Sequence, residues 1–444
     1  MILKLEKKRG TLKMLSEWIR SASYWTLDFL RGSSVKKHYE DIKSIIEKNE
    51  VTSQKKNLNN ILDYASTNVK FYKPYSDYTS LNDFPVINKN VMKEHYDDFQ
   101  SPEFLQSNVT NMHTSGSTGT PFVVRQNADK RNRCLAEMMY FWGKAGYRIG
   151  MKYVYFRIWT SINKKSKISA FSRNVVMCNV LSNDKEKLEE IRQMLKSDRK
   201  IKMLLGYAST FENLANYLIE CKDTPEMFNV KTIITISELL PETTREKLKL
   251  VFGCPVVSHY SNSENGVIAQ ECIEGKEFHV NIASFKVEIL NFDNDDPVPI
   301  GEPGRIVITD LFNRAMPIIR YDTGDIGVQR KEAGCAWSSL VLSSVQGRKV
   351  DFIFDTKGTK LSPHTVTNYM WGFDKIRQFQ FIQEDVKEYT LKLNGAKDYY
   401  NDEDFIVTFK GFLGQDAVIT IEHVTEIPVL ASGKFKYTVC KYNP

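Results

Sequence analysis

Apolar residues first recur at helical spacing in two runs, Ile42, Ile45, Ile46 and then Leu58, Ile61, Leu62. They predict helix over 35–72 with a break near Thr52. From about residue 150 the pattern changes. Short β-rich runs, KYVYFRIW (152–159), NVVMCNVL (174–181), KTIITIS (231–237) and PVVSHYS (255–261), alternate with helical stretches at 184–197 and 241–252. Strand–helix–strand alternation predicts an α/β domain with largely parallel strands. Residues 278–330 then turn β-rich, as in FKVEIL (285–290) and GRIVITDL (304–311). The tail alternates again, with strands at 387–395 and 416–424 and a helix from Asp402 to Leu413. The expected organisation is a large multi-layer α/β domain over 1–347, with residues 1–60 as a helical lead-in, followed by a small α+β domain over 348–444.

Composition adds bounds. The chain has 444 residues, 42% hydrophobic and 26% charged, an ordinary balance for a globular protein with a sizeable core. It has no run long and apolar enough for a membrane span and no secretory h-region, so the expected location is cytoplasmic. Residues 1–50 carry 11 Lys/Arg against 7 Asp/Glu, interleaved with Trp18, Ile19, Tyr24, Trp25, Leu27, Phe29 and Leu30. An amphipathic helix on a membrane surface and a helix packed on the protein body both fit this segment, and packing is the simpler expectation. No basic stripe continues beyond it, which argues against nucleic-acid binding. The seven cysteines are dispersed without a CxxC, as in a reduced protein. Cys254, Cys272, His279 and Cys335 could in principle converge on a zinc ion, but their spacing matches no compact metal motif, so buried or surface thiols are expected.

The densest chemistry lies in His113-Thr-Ser-Gly-Ser-Thr-Gly-Thr-Pro-Phe122. The hydroxyls of Thr114, Ser115, Ser117, Thr118 and Thr120 alternate with Gly116 and Gly119. Such a loop can curl its N–H groups around phosphate oxygens, although a solvated loop has the same composition. It lacks the Lys-Ser/Thr ending of the common P-loop. In order along the chain follow Tyr260-Ser-Asn-Ser-Glu264, Tyr321-Asp-Thr-Gly-Asp325, Gly347-Arg348-Lys-Val-Asp351 and Ser432-Gly-Lys434.

This succession resembles the motifs of the adenylate-forming superfamily, which includes acyl-CoA synthetases, luciferases and peptide-synthetase adenylation domains. The resemblance implies an ATP-dependent ligase that makes an acyl-AMP and passes the acyl group to an acceptor such as coenzyme A. It implies that residues 114–120 bind phosphate, that the Tyr260 ring lies against adenine beside Ser261, and that Glu264 binds Mg²⁺. It further implies that Asp325 holds the ribose hydroxyls, that Arg348 lies against the nucleotide, that Lys349 and Asp351 form a hinge, and that Lys434 reaches the reacting carboxylate. The chemistry is coherent: joining a carboxylate to a phosphate needs charge neutralisation, and an ionised Asp can accept both hydroxyls of a diol.

Phe84-Pro-Val-Ile-Asn-Lys89, His95-Tyr-Asp-Asp-Phe99, Gly206-Tyr-Ala-Ser209 and Ile236-Ser-Glu238 resemble segments of the phenylacetate–CoA ligase-like branch and its relatives among capsule-biosynthesis proteins. Departures from that pattern cluster on the acyl side. Ala208 stands where relatives carry Pro, Ser261-Asn262 replaces a Gly-containing pair, Ser237-Glu238 lacks an intervening Gly, and Lys436 stands near a position that is often basic. The carboxylate therefore stays open, as does the acceptor. Coenzyme A, a sugar or an amine in surface-polysaccharide assembly, and a non-catalytic nucleotide-binding or membrane-associated scaffold are the alternatives.

Overall fold

The computed structural model describes residues 2–48, 50–114, 122–159, 164–180, 184–274, 277–331, 334–335, 337, 340–346, 353–361, 363–370, 372–373, 375–376, 378–395, 399–427 and 437–442. The chain opens with three helices, α1 (Ile2–Leu30), α2 (Ser34–Lys48) and α3 (Val51–Asn68). The α2–α3 break falls close to the expected position. Helix α2 starts where the Asp28 carboxylate accepts the Val35 and Lys36 N–H groups at 3.1 and 2.9 Å, satisfying donors that a helix start leaves unpaired. It buries Val35, Ile42, Ile45 and Ile46. Helix α1 is packed by Trp25, whose ring meets Tyr39 edge-on at 6.1 Å, and by the Glu17–Lys202 ion pair at 2.7 Å. Its outer face nonetheless leaves Trp18, Phe29 and Leu30 at least two-thirds exposed.

After the short α4 (Lys89–Glu94), a separate two-stranded hairpin forms from β1 (Thr110–Thr114) and β2 (Phe122–Gln126), and α5 (Ala128–Lys144) follows. An eleven-stranded sheet then begins with β3 (Lys152–Arg157) and, after α6 (Lys167–Ser172), β4 (Val175–Asn179). Next come α7 (Lys185–Ser197), β5 (Ile201–Tyr207), α8 (Ala208–Glu220), β6 (Thr232–Ile236), α9 (Glu242–Phe252) and β7 (Val256–Asn262). In spatial order β4-β3-β5-β6-β7 these five strands are parallel. Helices α7, α8 and α9 cover one face through Leu188, Ile191, Phe211, Leu214, Leu248 and Val251.

At β7 the sheet changes character. The strands β8 (Gly266–Glu271), β9 (Phe278–Val280), β10 (Phe285–Leu290), β11 (Pro303–Asp310), β12 (Tyr321–Arg330) and β13 (Val341–Gln346) pair antiparallel, continuing the sheet as β7-β8-β9-β13-β12-β11-β10. This half packs on α2 and α5 through Ile42, Ile45, Tyr140, Phe141, Ile268, Phe285, Ile306 and Ile308. A buried ion pair, Lys130 Nζ to Asp310 Oδ2 at 2.7 Å, joins α5 to the end of β11.

The C-terminal region contains a small ladder of β14 (Ile353–Phe354) and β15 (Lys360–Leu361), then α10 (Pro363–Met370), β16 (Gln378–Gln383), β17 (Glu388–Asn394), α11 (Asp402–Leu413), β18 (Val418–His423) and β19 (Thr438–Cys440). Its four-stranded sheet, in order β18-β17-β16-β19, has its own core built on Phe379, Phe381, Leu391, Phe405 and Phe409. Lys360 reaches across to Glu212 on α8 at 2.9 Å.

Candidate nucleotide site

Open α/β sheets bind ligands beyond the carboxyl ends of their strands, where strand order or direction switches. Here that position is the end of β7, the last strand of the parallel half, and it carries Tyr260. The Tyr260 hydroxyl donates to Asp325 Oδ2 at 2.7 Å and lies 3.4 Å from Thr323 Oγ1. Burial, reinforced by the Asp325 charge, pushes the Tyr260 phenol well above its ordinary pKa, so it stays a neutral donor.

Asp325 reaches β7 although three strands separate β12 from it in the sheet. The β12–β13 ladder covers Ile326–Arg330, so Tyr321–Asp325 runs on past β13 and lies across the end of β7. That stretch is held on both sides. Ile87, from the Phe84–Lys89 segment, bridges Tyr321 as a parallel partner: its N–H donates to the Arg320 carbonyl at 2.9 Å and its carbonyl accepts the Asp322 N–H at 2.8 Å. Thr323 Oγ1 donates to the Ile306 carbonyl at 2.9 Å and accepts the Asp325 N–H at 3.1 Å. Gly324 sits at φ +76°, a conformation that glycine reaches without a Cβ penalty, and this turns Asp325 back towards Tyr260.

Glu264 lies in the β7–β8 turn and is 8% exposed. The buried Tyr321 hydroxyl donates to its Oε1 at 3.3 Å. Its backbone carbonyl accepts the Gln126 side-chain amide at 2.8 Å. Gln126 closes β2 and in turn accepts Arg131 at 2.9 Å. The hairpin flanking residues 115–121 is thereby tied to the turn that carries Glu264. The described part of the site thus brings together Tyr260, Glu264 and Asp325, with Ser261 next to Tyr260 on β7, while Thr114 ends β1 at the opposite end of the β1–β2 ladder from Gln126. Ser115, Gly116, Ser117, Thr118, Gly119, Thr120, Arg348, Lys349, Asp351 and Lys434 lie outside the described residues.

The Ile236–Glu238 segment, expected on the acyl side, ends β6, and Glu238 accepts both the N–H and the Oγ of Ser209 at 2.8 and 3.1 Å. The two sequence segments therefore meet. Ser237 has φ +67°, a left-handed conformation at the position where the related pattern carries an extra Gly, and it costs a serine about 1–2 kcal/mol. Gly206 packs so close that a Cβ would lie 2.7 Å from the Phe156 Cβ, which explains glycine there.

Gln126 belongs to no motif, and sequence reasoning missed it. Tyr321 and Thr323 were inside a recognised motif but carried no assigned role. Of the four zinc candidates, Cys254, just past the end of α9, packs into the core apart from the others, whereas Cys272, His279 and Cys335 converge. All three cysteines are free thiols, as expected, buried at Cys254 and Cys272 and half-buried at Cys335.

A large sheet that is parallel on one side of β7 and antiparallel on the other, with a small C-terminal α+β unit, is the fold of adenylate-forming ligases. The structure aligns with 2-hydroxyisobutyryl-CoA ligase in complex with 2-HIB-AMP and CoA at a TM-score of 0.62 and 15% identity, covering 90% of this chain and 92% of that one. Residues 353–441 match the CapK C-terminal domain family. Protein CapK of Staphylococcus aureus is 23% identical over 435 residues, 93% of this chain and 94% of that protein. A phenylacetate–coenzyme A ligase of Thermus thermophilus is 24% identical over 333 residues, 70% of this chain and 73% of the enzyme. The chain is thus homologous to CapK and to the phenylacetate–CoA ligases, and it has the fold of adenylate-forming CoA ligases.

Proposed function

We propose that this protein is an ATP-dependent ligase that converts a small-molecule carboxylate to its acyl-AMP, releases pyrophosphate, and transfers the acyl group to an acceptor such as coenzyme A. The observation that carries the reading is the convergence of Tyr260, Asp325 and Glu264 at the end of β7, with the hairpin of the 114–120 loop anchored to Glu264 through Gln126. In this reading the Tyr260 ring lies against adenine with Ser261 beside it, and Asp325 accepts the two ribose hydroxyls. The loop Thr114–Thr120 cradles the phosphates through its N–H groups and hydroxyls. Glu264 offers a carboxylate oxygen braced by Tyr321, a donor suited to a hard cation. Magnesium bound there would offset phosphate charge.

A carboxylate oxygen of the substrate attacks the α-phosphorus, and the bond to pyrophosphate breaks, with no proton transfer required. The Lys434 ammonium and the Arg348 guanidinium offset the two anions brought together. The division at 347/348, with Lys349 and Asp351 as the hinge, lets the small domain present Lys434 for the first half-reaction and turn away for the second. The reaction belongs in the cytoplasm, where ATP is supplied. Among the described residues no helix is long and apolar enough to cross a membrane.

A second acceptor reading is favoured by the match to CapK, which spans more of the chain than the match to the phenylacetate–CoA ligase. In it the acyl group passes to a sugar or amine in surface-polysaccharide assembly, without a thioester. Pyrophosphate release across a carboxylic-acid panel, with and without coenzyme A, tests both. Acid-dependent release with equal consumption of coenzyme A supports the first acceptor, and release without that consumption supports the second. ATP binding without pyrophosphate release from any acid would overturn the enzymatic reading in favour of a nucleotide-binding scaffold.

A further inference from the structure

Three ligand-type side chains that belong to no nucleotide motif meet where β8, β9 and the β12–β13 connection come together. Cys272 directly follows β8, His279 lies in β9, and Cys335 lies in the connection. Their ligand atoms all fall within 4.8 Å of one another, and Cys335 Sγ is 3.2 Å from His279 Nε2. A tetrahedral zinc ion with Zn–S of about 2.3 Å and Zn–N of about 2.0–2.1 Å sets neighbouring donors about 3.5–3.8 Å apart. Small side-chain adjustments bring the three atoms to that spacing.

The surroundings fix each ligand. The ladder holds His279 opposite Gln270 on β8 and Val341 on β13. The Trp337 ring stacks on the imidazole at 4.4 Å and 11°, setting its plane. The Trp337 backbone N–H donates to Cys335 Sγ at 3.4 Å, a bond that favours thiolate, and contacts of this kind tune metal ligands. The Cys272 N–H donates to the Glu277 carbonyl at 3.3 Å. The Glu277 carboxylate accepts the Gly334 N–H at 2.7 Å and pairs with Arg330, drawing the connection onto the β8–β9 turn.

The other buried cysteines contrast with this arrangement. Cys134, Cys178 and Cys254 stand singly, and burial pushes their thiols up to about 12, 11 and 12. They are inert packing residues. Two thiols and an imidazole from three chain segments at one point form a different kind of feature. Soft sulfur with nitrogen selects zinc over magnesium or calcium.

We infer that Cys272, His279 and Cys335 form a structural zinc site, separate from the nucleotide site, that staples the β12–β13 connection to the β8–β9 hairpin. Three protein ligands leave the fourth tetrahedral position to a water molecule, since the nearby Glu277 carboxylate is already engaged by the Gly334 N–H and Arg330. Binding converts two thiols to thiolates and releases two protons, the two sulfur charges balance Zn²⁺, and nothing is oxidised.

The test uses the full chain, purified under reductant, stripped with a chelator and titrated with Co²⁺ and then Zn²⁺. The expected result is a thiolate-to-cobalt charge-transfer band that saturates at one equivalent, is bleached by one equivalent of Zn²⁺, and accompanies a rise in thermal midpoint. Cys272→Ser and Cys335→Ser should each lose most of the band and about tenfold or more in zinc affinity, while Cys254→Ser keeps both. Absence of the band in the unsubstituted protein overturns the inference without recourse to any variant. So does a band that survives in both serine variants, or a Cys272–Cys335 disulfide in the unreduced protein.

Discussion

Replacing Tyr260 with Phe isolates one hydrogen bond in the candidate nucleotide site. The ring that would face adenine remains, and the hydroxyl that donates to Asp325 Oδ2 at 2.7 Å is lost. A hydrogen bond to an ionised acceptor contributes about 1.5–3 kcal/mol. At about 1.4 kcal/mol per tenfold, that corresponds to roughly ten- to hundredfold if the bond acts wholly through the aim of the carboxylate. Asp325 keeps its backbone tether, because its N–H still donates to Thr323 Oγ1, so the lower end of that range is expected. The KM for ATP in pyrophosphate release should rise about tenfold, with kcat changed less than about twofold. A double-mutant cycle with Asp325→Ala sharpens the result: if Tyr260 acts through Asp325, Tyr260→Phe adds little further loss once the carboxylate is gone. An unchanged KM for ATP in the Phe variant, or full additivity in the cycle, would refute this positioning.

Three further outcomes are expected. Lys434→Ala should abolish pyrophosphate release while sparing transfer from supplied acyl-AMP, and survival of both half-reactions would remove the role given to Lys434. Burial lowers the His259 pKa to about 4, so between about pH 6.5 and 4 the unfolded chain takes up a proton that the folded chain refuses. Stability should therefore fall by up to about 3 kcal/mol as pH drops through that window. Urea unfolding should show a flatter fall in His259→Gln, and an identical pH dependence would contradict this. Lys130→Met strands the Asp310 and Glu137 carboxylates in the core and should cost about 3–5 kcal/mol, whereas Lys130→Met with Asp310→Asn should recover part of it. A single variant as stable as the parent in the same assay would show that the pair contributes little.

Local periodicity made the helical pair at 34–68 and the alternating strands and helices of 152–262 legible, because the burial of Ile42, Ile45 and Ile46, or of alternate strand residues, is written at short range. The register that brings Asp325 to Tyr260 was not. It depends on where the β12–β13 ladder stops, at Ile326, and on the bridge from Ile87 to Tyr321, which lies far off along the chain. Gln126 was illegible for the same reason, as one amide at a strand end with its partner 138 residues away. The zinc candidates show both sides of this limit. Residue type placed Cys272, His279 and Cys335 on a short roster, but spacing could not drop Cys254, since only strand pairing decides which ligands share a sheet end. The missing glycine beside Ser237 was visible in the sequence, and the left-handed backbone of that serine was not.

The seam at β7 also bears on how this protein is matured and monitored. Tyr260 comes from the parallel half and Asp325 from the antiparallel half, so neither half alone offers the paired groups. A nascent or partly melted chain with one half formed would have no reason to hold nucleotide. Nucleotide would then act as a ligand of the completed sheet alone, raising the stability of the whole by mass action and leaving half-built forms unprotected. Cellular nucleotide would thereby discriminate finished molecules from unfinished ones, and protease resistance gained on adding ATP would report the docking of the two halves.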